Sequence, residues 1–180
     1  MLNPSSQRGA TLVELLIGIA IVGLLMAVGL PSYTAWIQNT KIRTAAESVL
    51  NGLQLARAEA VRRNANVQLV FGAASSWTIS APATLEQIQA RGSGEGSSNV
   101  TAEILPAGAT AVTFNSLGRV APNAAVLPPL SITRVDLTVP TTLLAASAAR
   151  ELRIVIGAGG NVRMCDPDAG VPALDPRKCP

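Results

Sequence analysis

The chain has no histidine and only two cysteines, Cys165 and Cys179, in 180 residues. The commonest general base and the commonest metal ligand are therefore missing together. Neither cysteine has a second at metal-ligand spacing, which argues against zinc. A disulfide is the better reading if this part of the chain is exported, and it would enclose residues 166–178. Closing a loop of about 15 residues stabilises by roughly 3 kcal/mol in the chain-entropy model. A nucleophile would need an unusual base here, so no catalytic residue is assigned and no enzyme is expected. Asp166 and Asp168 beside Cys165 could be imagined around calcium, but two carboxylates there read better as a solvated turn. No metal and no cofactor are expected. Arg163, Arg177 and Lys178 fall near the same loop. They read as a solvated rim or as candidate DNA contacts, which would be strongly salt-dependent.

Glu14 carries more information. It stands before residues 15–30, LLIGIAIVGLLMAVGL, which contain no charged and no strongly polar residue, and Pro31 closes the run. A secretory signal peptide would be shorter and would be followed by small residues. A buried soluble helix, apolar on all faces, would need a much larger protein around it. A membrane helix fits best, because the stretch beginning at Ala10 is near the ~20 residues that span a bilayer. A carboxylate inside such a helix costs roughly 2.5–3.5 kcal/mol on insertion scales and is usually paired or functional. Basic residues flank the run on both sides (Arg8 before it, Lys41 and Arg43 after it), so charge orients it poorly. The cysteines place the C-terminal part outside and the N-terminus in the cytoplasm.

Composition limits what the remainder can do. Apolar residues make up 48% of the chain and aromatics only 3%. The core must be built from small aliphatic side chains, with few platforms for stacking bases or sugars. Net charge is +3, without a basic run, so charge does not by itself indicate nucleic acid.

The elements that must position these residues follow from periodicity. Residues 32–64 read as a continuing helix. Ile42, Ala45, Ala46, Val49, Leu53, Ala56 and Ala60 recur at steps of three and four. Glu59 precedes Arg62 and Arg63 at the spacing of an exposed helical face. Asn64 begins a stop, and Gly29 and Pro31 are where a kink or unwinding is expected. Strands are expected at residues 67–71, 77–80, 111–115, 119–121, 130–139, 151–156 and 162–164. Residues 81–110 read as loop with a little helix at 85–90. Residues 131–139 alternate largely apolar and polar, as a sheet with one buried face requires, and no βαβ alternation occurs, so the sheet should be antiparallel.

The residues at the start of the chain resemble a family. Gly9-Ala10-Thr11-Leu12-Val13-Glu14 followed by an apolar run looks like the leader junction of type IV pilins and type II secretion pseudopilins. In that family a membrane prepilin peptidase cuts after the glycine and N-methylates the new first residue, which would be Ala10. The family usually has phenylalanine there. Its glutamate is the fifth mature residue and a proline the twenty-second, and Glu14 and Pro31 hold those places. Residues 54–64, QLARAEAVRRN, resemble a helix segment of the pseudopilin H and FimT-type minor pilins. Residues 113–120, TFNSLGRV, resemble a turn of the same group, whose glycine would take a positive backbone angle. Residues 152–167, LRIVIGAGGNVRMCDP, resemble its terminal hairpin. DNA-binding FimT-type pilins carry a G-R-x-R element there, whereas this chain has Gly160-Asn161-Val162-Arg163.

The resemblance implies an α+β, pilin-like fold, a long N-terminal helix packed on a small antiparallel sheet. Its parts would be a cleaved leader (residues 1–9), a transmembrane and polymerisation segment (10–31), an amphipathic helix (32–64), and a β domain with a C-terminal disulfide loop (65–180). The implied role is a structural minor pilin assembled into a type IV pilus, favoured over the pseudopilin by the cysteine pair. A type II secretion pseudopilin H and a DNA-binding competence pilin are the alternatives, and a membrane-anchored enzyme is the least supported. Glu14 and Pro31 would serve assembly. The implied partners are other pilins or pseudopilins, prepilin peptidase, an inner-membrane assembly platform, membrane lipid before assembly and, in the third reading, DNA. The implied location is the inner membrane, single-pass, with a periplasmic head, and then the pilus or pseudopilus.

Overall fold

The computed structural model describes residues 11–123 and 129–179. Its one long helix, α1 (Leu12–Arg63), is followed by nine strands among the described residues: β1 (Val67–Phe71), β2 (Trp77–Ala81), β3 (Glu86–Arg91), β4 (Thr101–Leu105), β5 (Ala111–Phe114), β6 (Val120–Ala121), β7 (Arg134–Thr138), β8 (Leu152–Ile156) and β9 (Val162–Cys165). The chain divides into two compact units, one ending at Ile37 and one beginning at Gln38.

In the first unit Thr11 caps the helix. Its Oγ1 accepts a hydrogen bond from the Glu14 backbone N–H at 3.2 Å, satisfying one of the donors a helix start leaves unpaired. The apolar side chains behind it are exposed, among them Leu12, Leu16, Ile19, Leu24 and Met26. The helix runs unbroken through Gly29 and Pro31, so the expected unwinding does not occur. Proline deletes one backbone donor and leaves the neighbouring turns their own bonds. Thr34 Oγ1 donates to the Pro31 carbonyl at 2.8 Å.

The second unit contains the core. Ile42, Ala45, Ala46, Val49, Leu53, Ala56 and Ala60, the stripe read from the sequence, are all at most 1% exposed. They pack in one cluster with residues of two sheets rather than one. The first sheet has the order β3-β2-β1-β5-β6, the second β4-β7-β8-β9, and every named strand pair is antiparallel. Gly52 lets the Trp77 ring lie against the helix, since a Cβ there would stand 3.0 Å from it. Trp77 Nε1 then donates to Ser48 Oγ at 3.0 Å. The helix ends in paired capping bonds: Asn64 takes φ +50°, its N–H reaches the Val61 carbonyl, and the Ala65 N–H reaches Ala60, both at 3.2 Å.

Three expectations need correction. Residues 85–90 are not helical, because Glu86–Arg91 is a strand paired along β2. Leu85 and Ile88 have helical spacing, but pairing with a neighbouring strand overrides so weak a local preference. Residues 81–110 also hold β4, so they are less loop-like than expected. The strand expected over 130–139 begins only at Arg134. Before it, Ser131 bridges to Ala111 and the Ile132 N–H donates to the Ala111 carbonyl at 3.1 Å. The chain is thus crossing from the first sheet to the second.

Candidate functional site: an exposed stem and a motif junction

The stem is defined by exposure. The large apolar residues described from Leu12 to Leu30, among them Val13, Leu15, Leu16 and Ile17, are 49–75% exposed, although water disfavours such a surface by roughly 25 cal/mol per Å². Among the described residues α1 is the one helix long and apolar enough to cross a membrane. Glu14 lies in its first turn and is itself exposed. Pro31 lies within the helix. Gly9 and Ala10, the expected cleavage and N-methylation positions, lie outside the described residues.

In the second unit the three motif stretches meet. Asn115 builds the turn between β5 and β6, its Oδ1 accepting from the backbone N–H groups of Leu117 and Arg119, each at 3.0 Å. Gly118 in that turn takes φ +70°, as its place between two strands requires. Its carbonyl accepts a hydrogen bond from Arg57 Nε at 3.0 Å. Gly160, at φ +81° in the β8–β9 turn, comes so close that a Cβ there would overlap the Gly118 carbonyl oxygen. The Val120 N–H also donates to the Ala158 carbonyl at 3.1 Å. The first arginine of LARAEAVRR, the glycine of TFNSLGRV and a glycine of GAGGNVR therefore share one junction. Asn161 folds back over the same hairpin and would collide with any side chain at Gly157.

The end of the helix is tied down by charge. Glu59 accepts hydrogen bonds from Arg62 at 3.0 and 2.6 Å and from Arg63 at 2.8 Å, which together lower its pKa to about 2. Arg63 also reaches Glu86 at the start of β3 at 2.7 Å. This face is thus a bridge from helix to sheet edge, in which Arg62 is exposed as expected while Glu59 and Arg63 are half-buried.

Cys165 and Cys179 are joined, with S–S 2.09 Å. The loop they close is held by backbone bonds between Asp166 and the 177–179 segment. Arg163 donates to the carbonyls of Pro176 and Lys178. Arg177 pairs with Asp175 at 2.8 Å, and that pairing lowers the Asp175 pKa to about 2. Lys178 Nζ donates to the Val171 carbonyl at 2.8 Å. The three cations offered to DNA are therefore close together, and each has an acceptor within the chain. Asp166 and Asp168 cap backbone N–H groups of Asp168 and Gly170 at 3.0 and 2.8 Å. Among the described residues no group of three His, Cys, Asp or Glu is placed to hold a metal.

Two features escaped the sequence reading. Thr11-x-x-Glu14 has the spacing of a helix capping box, a signal that was available. Buried Asp136 accepts from Arg153 at 2.7 and 2.9 Å, while Arg134 Nε lies 3.3 Å away. Asp136 and Arg153 are cross-strand partners, and only the register of β7 and β8 reveals the pair.

A helix that begins as an exposed apolar stem and ends buried against antiparallel sheets is the construction of a pilin-like subunit. Residues 45–160 match the family described as type II transport protein GspH, and residues 4–30 match the prokaryotic N-terminal methylation motif. The first match covers more than half of the chain, and the chain belongs to the GspH family. It is also similar to the type IV minor pilin FimU of Pseudomonas aeruginosa strain PAO1. One crystal form of FimU is 20% identical, with 68% of this chain and 87% of that chain covered and a TM-score of 0.47. A second is 19% identical, with 68% and 90% covered and a TM-score of 0.46. No curated protein matches the chain.

Proposed function

We propose that this protein is a structural minor pilin, cut between Gly9 and Ala10 by prepilin peptidase, methylated at Ala10 and built into a type IV pilus. Before assembly it is held in the inner membrane by residues 10–31, with the head in the periplasm. The observation that carries this reading is the long exposed apolar stem of a GspH-family chain. Burial of that stem among the stems of like subunits offsets the loss of lipid contact. Glu14 pairs with the N-terminal amine of a neighbouring subunit, which neutralises a carboxylate otherwise costly in an apolar setting. Pro31 belongs to the same assembly segment. The cysteine pair near the C-terminus favours an exported, exposed head.

The family description itself favours a second reading, a type II secretion pseudopilin. Deleting the gene separates the two. Loss of pili with secretion intact supports the minor pilin, and loss of secretion with pili intact supports the pseudopilin. In either machine, Glu14→Ala should leave leader processing intact and abolish incorporation. Normal incorporation of that variant would overturn the pairing.

A further inference from the structure

Tyr33 and Trp36 stack on the stem, their ring centroids 6.1 Å apart and their planes inclined at 26°. Three residues apart, they lie on one helix face. Both are exposed, at 58% and 64%. Two of the five aromatic residues in this aromatic-poor chain are thus adjacent on an unburied helix surface.

Their position along the helix is telling. Residues 12–30 rise about 28 Å at ~1.5 Å per residue, close to the ~30 Å thickness of a bilayer's hydrocarbon core. Tyr33 and Trp36 come roughly 5 and 9 Å beyond Leu30, which is the depth of the headgroup layer. Tyr and Trp are enriched in that layer because each joins an apolar ring to a polar edge.

We infer that the Tyr33–Trp36 pair is an interfacial anchor, seated in the lipid headgroup layer at the end of the stem opposite Glu14. The inference rests on the membrane-held state proposed above. Lipid is the occupant because the uncharged apolar length before the pair matches the bilayer and the aromatics stand together at its end. Trp36 lies 22 residues beyond Glu14, about 33 Å along the helix. An anchor at one headgroup layer therefore holds Glu14 at the other, out of the hydrocarbon centre where it would cost most.

The test uses the full chain reconstituted in phosphatidylcholine–phosphatidylglycerol vesicles. Flotation reports membrane association. Tryptophan emission is then compared with lipids brominated near the headgroup or near the bilayer centre. Trp77 is buried and supplies an unquenched background, and Trp36→Phe shows which emission is affected. The expected result is severalfold stronger quenching by the shallow bromines, lost in Trp36→Phe. Equal or stronger quenching by the deep bromines, or none in a chain that floats, would overturn the anchor. A chain that does not float would overturn the membrane-held state and the anchor with it.

Discussion

Arg57 Nε donates to the Gly118 carbonyl at 3.0 Å, tying the second-to-last turn of the helix to the β5–β6 turn. Gly160 lies against that same carbonyl and 3.3 Å from Arg57 Nε, measured from where a Cβ would be. Both glycines take positive φ, so neither position tolerates a side chain without strain. The junction locks the helix to a turn in each sheet.

Gly160→Ala tests it directly. A methyl group would overlap the Gly118 carbonyl oxygen at a backbone angle L residues rarely adopt. The expected cost is about 2–4 kcal/mol, read as a lower urea midpoint. Gly159→Ala is the control, because the nearest atom to its Cβ is 3.8 Å away. Equal midpoints for the two variants would contradict the packing described.

Acid should weaken the helix end. Hydrogen bonds from Arg62 and then Arg63 lower the Glu59 pKa from 4.5 to about 2. A depressed carboxyl pKa means the unfolded chain binds more protons, so the stabilisation is complete above pH 4.5 and is lost as pH falls toward about 2. Glu59→Gln should flatten the pH dependence of stability in that window. The total effect is small because Arg62 is exposed to solvent. An unchanged slope would show that Glu59 is not its source.

Replacing Cys165 and Cys179 with serine opens a loop of sequence separation 14 and should cost about 3 kcal/mol. The backbone N–H groups of Asp166 and Cys179, bonded across the loop neck, should exchange with solvent faster. Unaltered exchange would mean that the Arg163 and Lys178 bonds hold the loop without the disulfide.

Arg163→Ala and Arg177→Ala should disturb this loop rather than any nucleic-acid interface, because both guanidiniums already have internal acceptors. The expected outcome is a less stable loop with duplex DNA binding at low salt unchanged. Loss of DNA binding with the loop intact would instead support the uptake reading.

Local pattern was enough for much of this fold. The stripe from Ile42 to Ala60 was legible because helical periodicity repeats over many residues. The strands at 67–71 and 111–114 were legible because β-branched and aromatic residues fall between turn signals. The strand at residues 86–91 is not legible in the sequence because an exposed edge strand has no buried face to impose alternation, with only Ile88 and Arg91 half-buried. The start of β7 is not legible because Ser131 and Ile132 continue the polar–apolar alternation of the strand, yet their backbone partners lie on the first sheet.

The sequence by itself determined the apolar stem, the spacing of Gly9, Glu14 and Pro31, the antiparallel character of the head and the two cysteines available to pair. These are properties of composition and short-range spacing, which need no knowledge of what lies across the fold. Only the tertiary structure decided that the sheet is two sheets, that Arg57, Gly118 and Gly160 meet, and that Asp136 finds Arg153. It also decided that Arg163, Arg177 and Lys178 turn to acceptors of their own chain. Each of those depends on strand register and close approach between residues distant in sequence, and a linear pattern carries no information about which backbone will stand opposite.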